Sequence, residues 1–218
     1  MRPVHRRQRL AHLAPHRQLA AVTGYGDRVI AMAPGAMMAA SPLNEPAAEK
    51  LPSIPEHASP MPWAEARRRL EAGRIYWLAT RHPSGRPQVR PILGLWLEGG
   101  LYFVAGPGSR KARNLALDPR CSVALETTDA HLVVEGTAAV VRDDATLAQA
   151  AAAYADKYQW YVRIEDGAFD ADYAAPTAGP LPVDVYQLLP ARVFGFGTGD
   201  TGLEWTPTRW RFRRSTAP

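Results

Sequence analysis

Cysteine is almost absent from this chain of 218 residues, in which Cys121 is the single example. One thiol excludes an intrachain disulfide and a cysteine metal cluster, and the strand-like stretch CSVALE around it favours a small core residue over a nucleophile. The chain also lacks any apolar run close to the roughly 18 residues that a membrane span needs. These absences predict a protein of a reducing compartment, the cytoplasm, that acts away from membranes.

The usual catalytic signatures are missing as well. No Gly-x-Ser-x-Gly elbow occurs, and the glycine-rich stretch 195–202 runs toward another strand, which indicates a hairpin turn rather than a dinucleotide-binding loop. Of the six histidines, only His82 and His131 follow residue 60, so no multi-histidine metal site is expected. An enzyme with this sequence would depend on a bound cofactor for its chemistry.

The net charge of +5 belongs to the beginning of the chain. Residues 1–30 contain six arginines and one aspartate, which leaves the remainder with no net charge. This distribution argues against a nucleic-acid-binding surface on the folded part. A protein that meets DNA or a membrane through its basic leader stays an alternative, and deletion of residues 1–60 would test it.

Residues 1–60 have no sustained periodicity and are rich in Ala, Pro, Arg and His. We interpret them as a disordered leader or an over-extended start of the reading frame. A signal peptide is the alternative, but Pro34 and Gly35 interrupt its apolar core at 29–40. The folded domain is expected over residues 61–213.

Short strand-like runs dominate the chain after Pro62. The pattern predicts strands at 75–81, 87–97, 101–105, 121–127, 131–142, 183–189, 191–197 and 208–212, with helices near 63–72, 110–117 and 145–158 and an irregular segment at 159–182. Gly136, inside one of these runs, indicates a bulge or a barrel bend. Closely spaced strands with few helices predict a small antiparallel barrel rather than a parallel sheet.

The stretch GPGSRKARNLALDPR, from Gly106 to Arg120, follows a buried strand. Its glycines and proline end the strand, and Ser109 takes an N-cap position before a short helix. Arg110 and Lys111 then occupy the first turn, where acids are usually preferred because the helix start is already positive. Cations there fit a bound anion, so two interpretations remain: a phosphate cradle, or a solvated basic turn.

Arg90 adds a second basic element within the run PQVRPILGLWL. A cation in an apolar strand needs a counter-charge, and Arg90 could find it in an anion at the Ser109 helix or in a strand acid such as Glu126 or Glu135. Pro91 lacks an N–H and therefore marks a strand edge or a place where the ladder is open to a ligand.

Taken together, PxxRxIL at 87–93, GSRKA at 108–112 and DPR at 118–120 resemble the pyridoxamine 5′-phosphate oxidase-like superfamily of FMN-binding split barrels. The resemblance extends from about residue 61 to residue 212. It implies a mainly β fold with flanking helices, a six-stranded split β-barrel, and a homodimer with two FMN or deazaflavin (F420) sites at the subunit interface.

The resemblance also implies roles for individual residues. Arg90, Arg110 and Lys111 match the residues that hold the cofactor phosphate, and Ile92 and Leu93 match the strand beside the ribityl chain and ring. His131 matches a position that faces the ring, whereas Trp205 and Arg209 match contacts from the partner subunit. With the basic motifs, the full set of predicted cofactor-binding residues is Arg90, Pro91, Ile92, Leu93, Ser109, Arg110, Lys111, Asn114, His131, Trp205 and Arg209; no catalytic side chain and no metal ligand is assigned.

The sequence departs from the oxidase pattern at several places. Leu95 stands where the oxidases have a lysine, and their C-terminal Arg-x-His pair has no counterpart; both departures argue against pyridoxine phosphate as the substrate. The continuation from Lys111 to Asn114 is similar to the F420-dependent branch. The resulting hypothesis is an oxidoreductase that uses FMN or F420 for hydride transfer with a small organic substrate; the alternative is a non-catalytic flavin- or haem-binding split barrel.

Overall fold

Strands make up most of the structure, a computed structural model that describes residues 46–51, 59–198 and 205–212. Most of the predicted leader therefore lies outside the described residues. Within these ranges the elements are β1 Ala48–Lys50, β2 Ser59–Pro60, α1 Trp63–Ala72, β3 Ile75–Arg81, β4 Pro87–Leu97, β5 Gly100–Ala105, α2 Arg110–Leu117, β6 Arg120–Glu126, β7 Ala130–Val140, α3 Asp144–Tyr158, β8 Arg163–Glu165, β9 Ala168–Asp170, β10 Asp184–Gly197, β11 Trp205–Thr206 and β12 Thr208–Arg211.

Six of these strands close into an antiparallel barrel in the order β10-β5-β4-β3-β6-β7, and β7 pairs back onto β10. The predicted six-stranded split barrel is therefore confirmed. The barrel is split along β4, because β5 pairs only with residues 94–97 of that strand. On this side, residues 87–93 of β4 have no strand partner within the described ranges; we call this stretch the split edge.

Alternating burial explains why these sequences form barrel strands. In β3, Tyr76, Leu78 and Thr80 point into the core, whereas Ile75 and Trp77 remain exposed on the outer face. Every residue of β5 is buried because both of its faces are covered. Leu101 and Phe103 join the barrel interior, and Tyr102 and Val104 join a second core.

That second core lies between the barrel and α3. Tyr154 and Leu147 of α3 pack with Trp160, Phe169 and residues of β5 and β10. The segment 159–182, predicted as irregular, contributes to it and contains the β8–β9 hairpin. Within the described ranges, α3 and this segment cover the outer side of β5 and β10. They leave the outer side of β3 and of the first half of β4 open, with Ile75, Trp77 and Val89 exposed.

The closure of the barrel depends on a close contact at Gly136. β10 runs as one strand from Asp184 to Gly197, although the sequence predicted two strands, and its pairing with β7 shifts register between Pro190 and Arg192, opposite Gly136. A Cβ atom at Gly136 would lie 2.0 Å from the Leu189 carbonyl oxygen. The expected bulge is thus present, and only glycine fits beside it.

Residues before 61 also form strands, one in the main sheet and one in a separate two-stranded sheet. β1 pairs with β12 and β2 pairs with β11, so parts of the predicted leader lie in strands. The domain boundary at residue 61 stays a prediction. Among the described residues, no helix combines the length and the hydrophobicity required to cross a bilayer.

Candidate anion-binding site

The start of α2 has the geometry that the sequence predicted. Ser109 is the N-cap, and its Oγ accepts a hydrogen bond from the Ala112 N–H at 3.3 Å. No acid occupies the first turn. Arg110 is exposed, whereas Lys111 is buried, with only 6% of its surface accessible. The helix therefore presents its positive end together with two cationic side chains.

Lys111 is a buried cation without a described carboxylate partner. Its Nζ donates to the carbonyl oxygen of Thr177, and no salt bridge to Lys111 occurs among the residues that the structure describes. Burial lowers the pKa of the ammonium, and the nearby charge of Arg90 lowers it further. A buried ammonium has three N–H donors, so this one can still take an anionic acceptor.

Arg90 reaches the same region from the split edge of β4. Its side chain is exposed, and Nη1 donates to the Val89 carbonyl at 2.8 Å. The acids considered as alternatives do not pair with it: Glu135 pairs with Arg192 at 3.0 Å, and no described salt bridge involves Glu126. We call Arg90, Arg110 and Lys111 the cation cluster.

A third wall of the site comes from residues 171–182, which sequence reasoning missed. We call this segment the Thr177 loop. The Thr177 carbonyl accepts from Lys111, and the Thr177 Oγ1 donates to the Pro91 carbonyl at 2.6 Å. The Gly106 N–H donates to the Ala178 carbonyl at 2.7 Å, which holds the loop against the residues before α2. The only sequence signals were its prolines and glycine, and these do not reveal a partner so distant in the chain.

Asn114 lies below the cation cluster and is fully buried. Its Nδ2 donates to Thr80 Oγ1 at 3.0 Å and to Gln88 Oε1 at 2.8 Å, which ties α2 to both β3 and β4. Its Oδ1 has no hydrogen-bond partner among the described residues. In this structure Asn114 joins the elements that carry the cations, and its predicted contact with a cofactor stays a prediction.

The predicted strand contacts at Pro91, Ile92 and Leu93 are mostly engaged within the chain. Thr177 binds the Pro91 carbonyl, and Tyr154 Oη donates to the Leu93 carbonyl at 3.2 Å. Ile92 points into the barrel core. This part of β4 is consequently held rigidly beside the cation cluster.

The other three predicted residues lie elsewhere in the protomer. His131 is on β7, three strands from β4, a lateral separation of roughly 14 Å at ordinary strand spacing. The ring of Trp205 stacks under the Arg69 guanidinium at 4.6 Å, and Arg209 donates to Glu49 Oε2 at 3.0 and 2.5 Å. A single chain therefore does not bring these three residues to the cation cluster, and their assignment stays a prediction.

A cleft of about 690 Å³ is lined by residues of β3, β6, β7 and β10. Its arginines are Arg81, Arg120 and Arg192, and each already pairs with an acid: Asp118 takes the first two and Glu135 takes the third. Because paired charges attract an additional anion weakly, the cation cluster is the better candidate site in spite of this cleft.

The split barrel and the basic start of α2 beside the split edge together indicate the family of this protein. Residues 62–184, more than half of the chain, match the family described as pyridoxamine 5′-phosphate oxidase. The chain therefore belongs to the pyridoxamine 5′-phosphate oxidase family. None of the curated proteins matches it significantly.

Several solved structures are similar to this chain at low sequence identity. The conserved hypothetical protein Rv2991 from Mycobacterium tuberculosis is 21% identical, with a TM-score of 0.53 over 76% of this chain and 100% of that one. A pyridoxamine 5′-phosphate oxidase-related, FMN-binding protein from Nostoc punctiforme is 20% identical, with a TM-score of 0.45 over 72% and 100%. A heme-binding protein from Mycobacterium smegmatis is 25% identical, with a TM-score of 0.47 over 64% of this chain and 56% of that one.

Proposed function

We propose that the chain binds the phosphate of FMN or F420 at the cation cluster and works as an oxidoreductase on a small organic substrate. The observation that carries this proposal is the arrangement of Arg90, Arg110 and Lys111 at a helix start, with no described carboxylate paired to any of them. Burying Lys111 without a counter-charge costs stability. A bound phosphate would supply the counter-charge and offset this loss of stability.

The residues of the site fit a phosphate group. Arg90 offers a planar fork of donors and Lys111 a compact ammonium, a combination suited to phosphate oxygens. The N–H groups of Arg110 and Lys111, at the start of α2, add donors that have no intrahelical partner. A bound flavin or deazaflavin supplies hydride transfer, and the chain's own residues bind the phosphate, hold the β4 backbone beside it and exclude water.

We also propose that the exposed outer face of β3 and β4 pairs with a second copy of the chain. Ile75, Trp77 and Val89 are about half exposed there, and Trp77 lies opposite Pro91 of the split edge in the β3–β4 pairing. Contiguous apolar surface of this kind marks interaction sites. A homodimer formed through this face would bring a second chain close to the cation cluster.

Titration of the purified protein with FMN and with F420 tests the cofactor proposal. The double variant Arg110→Ala with Lys111→Ala should bind the cofactor about 3–6 kcal/mol more weakly, because two charge-assisted contacts to the phosphate are lost. Arg67→Ala is the matched control, since Arg67 is half exposed on α1 and has one distant pair with Glu71 at 3.6 Å. Absence of binding below the millimolar range for both cofactors would contradict the proposal.

A non-catalytic carrier of flavin or haem is the second candidate. The cation cluster would hold the phosphate of a flavin whether or not the flavin reacts, since the described contacts of Arg90 and Lys111 are with carbonyl oxygens. Stopped-flow absorbance of the loaded protein distinguishes the two functions. A carrier keeps its cofactor unchanged with every reductant and acceptor supplied, whereas an oxidoreductase shows reduction and reoxidation.

A further inference from the structure

Thr177 connects the two elements that carry the cations. Its carbonyl oxygen takes the ammonium of Lys111 on α2, and its hydroxyl donates to the Pro91 carbonyl, one residue from Arg90 on β4. Both bonds come from the same residue, so the positions of Lys111 and of the split edge are coupled through it. In the described ranges, the split edge has no β5 partner that could fix this spacing.

The conformation of Thr177 is unusual for its residue type. Its φ of 65° lies in the left-handed region, which is strained for β-branched residues and which they rarely adopt. An ordinary loop position would favour glycine here. Strained residues of this kind persist where the surroundings hold them, and they concentrate at ligand-binding sites.

The loop around Thr177 is anchored firmly enough to hold that strain. Besides the bond between Gly106 and Ala178, the Ala178 N–H donates to the Ala175 carbonyl at 3.0 Å, and Ala175 and Ala178 are buried. A Cβ atom at Gly106 would lie 2.9 Å from the Pro180 carbonyl oxygen, so the two loops touch through their backbones. The Thr177 loop is therefore a fixed wall rather than a loose cover.

We propose that Thr177 is a positioning residue for phosphate recognition: it holds Lys111 and the β4 edge at the separation at which Lys111 and Arg90 grip one phosphate. This inference rests on the proposed function. Thr177 leaves two of the three ammonium N–H donors of Lys111 for the ligand, and it need not touch the ligand itself. Its effect is consequently confined to ligands that carry the phosphate.

The test compares each cofactor with its phosphate-free form. FMN is paired with riboflavin, and F420 with its deazariboflavin core, and dissociation constants are measured for the wild type, Thr177→Val and Thr177→Ser. Thr177→Val removes the hydroxyl and keeps the β-branch, and we expect it to weaken FMN or F420 binding about 3- to 10-fold, the effect of one neutral hydrogen bond. Binding of the phosphate-free form should not change, and Thr177→Ser should restore wild-type affinity.

Thr198→Val is the matched control, because the Thr198 hydroxyl also donates to a loop carbonyl, that of Thr128 at 3.3 Å, away from the cation cluster. Equal losses for phosphate-bearing and phosphate-free ligands, or no loss at all, would overturn the inference and leave the proposed function intact. If the wild type binds neither cofactor, the proposed function fails and the inference fails with it. Should Thr177→Val not fold, Thr177→Gly, which relieves the left-handed φ but also lacks the hydroxyl, gives the same comparison.

Discussion

At the scale of single residues, the half-buried Lys157 and the buried Lys111 show that burial alone does not mark a functional cation. Lys157 donates to the carbonyls of Glu71 and Gly94 at 2.9 and 3.1 Å, and it lies over the rings of Tyr76 and Tyr158 at 5.6 Å. These partners join α1, β4 and α3, so its role is structural. Lys111 has one described carbonyl and a cationic neighbour instead, a setting that an anion would complete.

Lys157 should make the stability of the protein rise with pH in the alkaline range. Burial lowers its pKa in the folded protein from 10.5 to about 8, so between these values the unfolded chain holds more protons and the free energy of unfolding increases with pH. Between pH 8 and 9.5, the free energy of unfolding of the wild type should therefore rise relative to that of Lys157→Met by on the order of 1–2 kcal/mol. Denaturant unfolding at each pH measures this difference. If the free energies of unfolding of the two proteins change in parallel with pH, the ammonium of Lys157 is not desolvated in the folded protein.

The proximity of Arg90 and Lys111 can be measured without any cofactor. In Arg90→Ala the pKa of Lys111 should rise toward its ordinary value, because a like charge that disfavours the ammonium is removed. Side-chain NMR of the lysine gives this pKa directly. Arg113→Ala, an exposed change of equal charge on the same helix, should shift it less. Equal shifts would mean that Arg90 does not face Lys111.

At the scale of elements, the pairing of β7 with β10 closes the barrel, and this pairing leaves no space for a side chain at Gly136. Gly136→Ala should destabilise the protein by more than about 2 kcal/mol, since its Cβ would overlap the Leu189 carbonyl and force the bulge to move. Thermal unfolding provides the measurement. Gly108→Ala is the control, because nothing lies within 4 Å of its added Cβ; a similar loss there would show that the contact at Gly136 is unimportant.

Asp118 connects the end of α2 to β3 and to β6. It accepts from Arg81 and Arg120, each at 2.8 Å, and these bonds keep its pKa well below the ordinary value of 3.8. The resulting stabilisation is present above that value and is lost as the pH falls through the lower folded pKa. The stability difference between wild type and Asp118→Asn should therefore shrink on acidification below pH 4. A constant difference in acid unfolding curves would argue against this role.

At the scale of the whole molecule, the sheet extends beyond the barrel through the pairing of β12 with β1. Glu49 of β1 accepts from both Arg209 and Arg211, and this contact lowers the pKa of Glu49. The predicted leader is therefore not uniform in what it contributes. Its residues near 49 add a strand to the folded sheet, whereas those before 46 lie outside the described ranges.

Two truncations separate these parts of the chain. Removing residues 1–45 should leave cofactor affinity and melting temperature unchanged, because the contacts of β1 and β2 remain. Removing residues 1–60 should lower the melting temperature, because β12 loses one of its two partner strands and two arginines lose Glu49. If removal of residues 1–45 abolishes function, the basic leader is required for function, as the alternative of DNA or membrane association predicts.

Most of the fold was predictable because its determinants are local. The bounds of β3 and β4 follow from alternating burial and from turn residues, and the Glu98–Gly99 turn joins β4 to β5 with both residues at positive φ. The division of β10 into two strands was wrong, because a bulge at Pro190 bends one strand without ending it. The β8–β9 hairpin was missed because its strands are only three residues long.

The candidate site was likewise predictable only where its determinants are local. The basic start of α2 was evident from the order of Gly106, Ser109, Arg110 and Lys111, because capping and helix electrostatics act over a few neighbouring residues. The sequence alone thus determined most of the elements, the basic motif and the family resemblance. Only the tertiary structure decided that Thr177, 66 residues beyond Lys111, holds its ammonium, and that Glu49, 160 residues before Arg209, takes that arginine. Contacts between distant segments depend on how the barrel closes, and no local pattern encodes that closure.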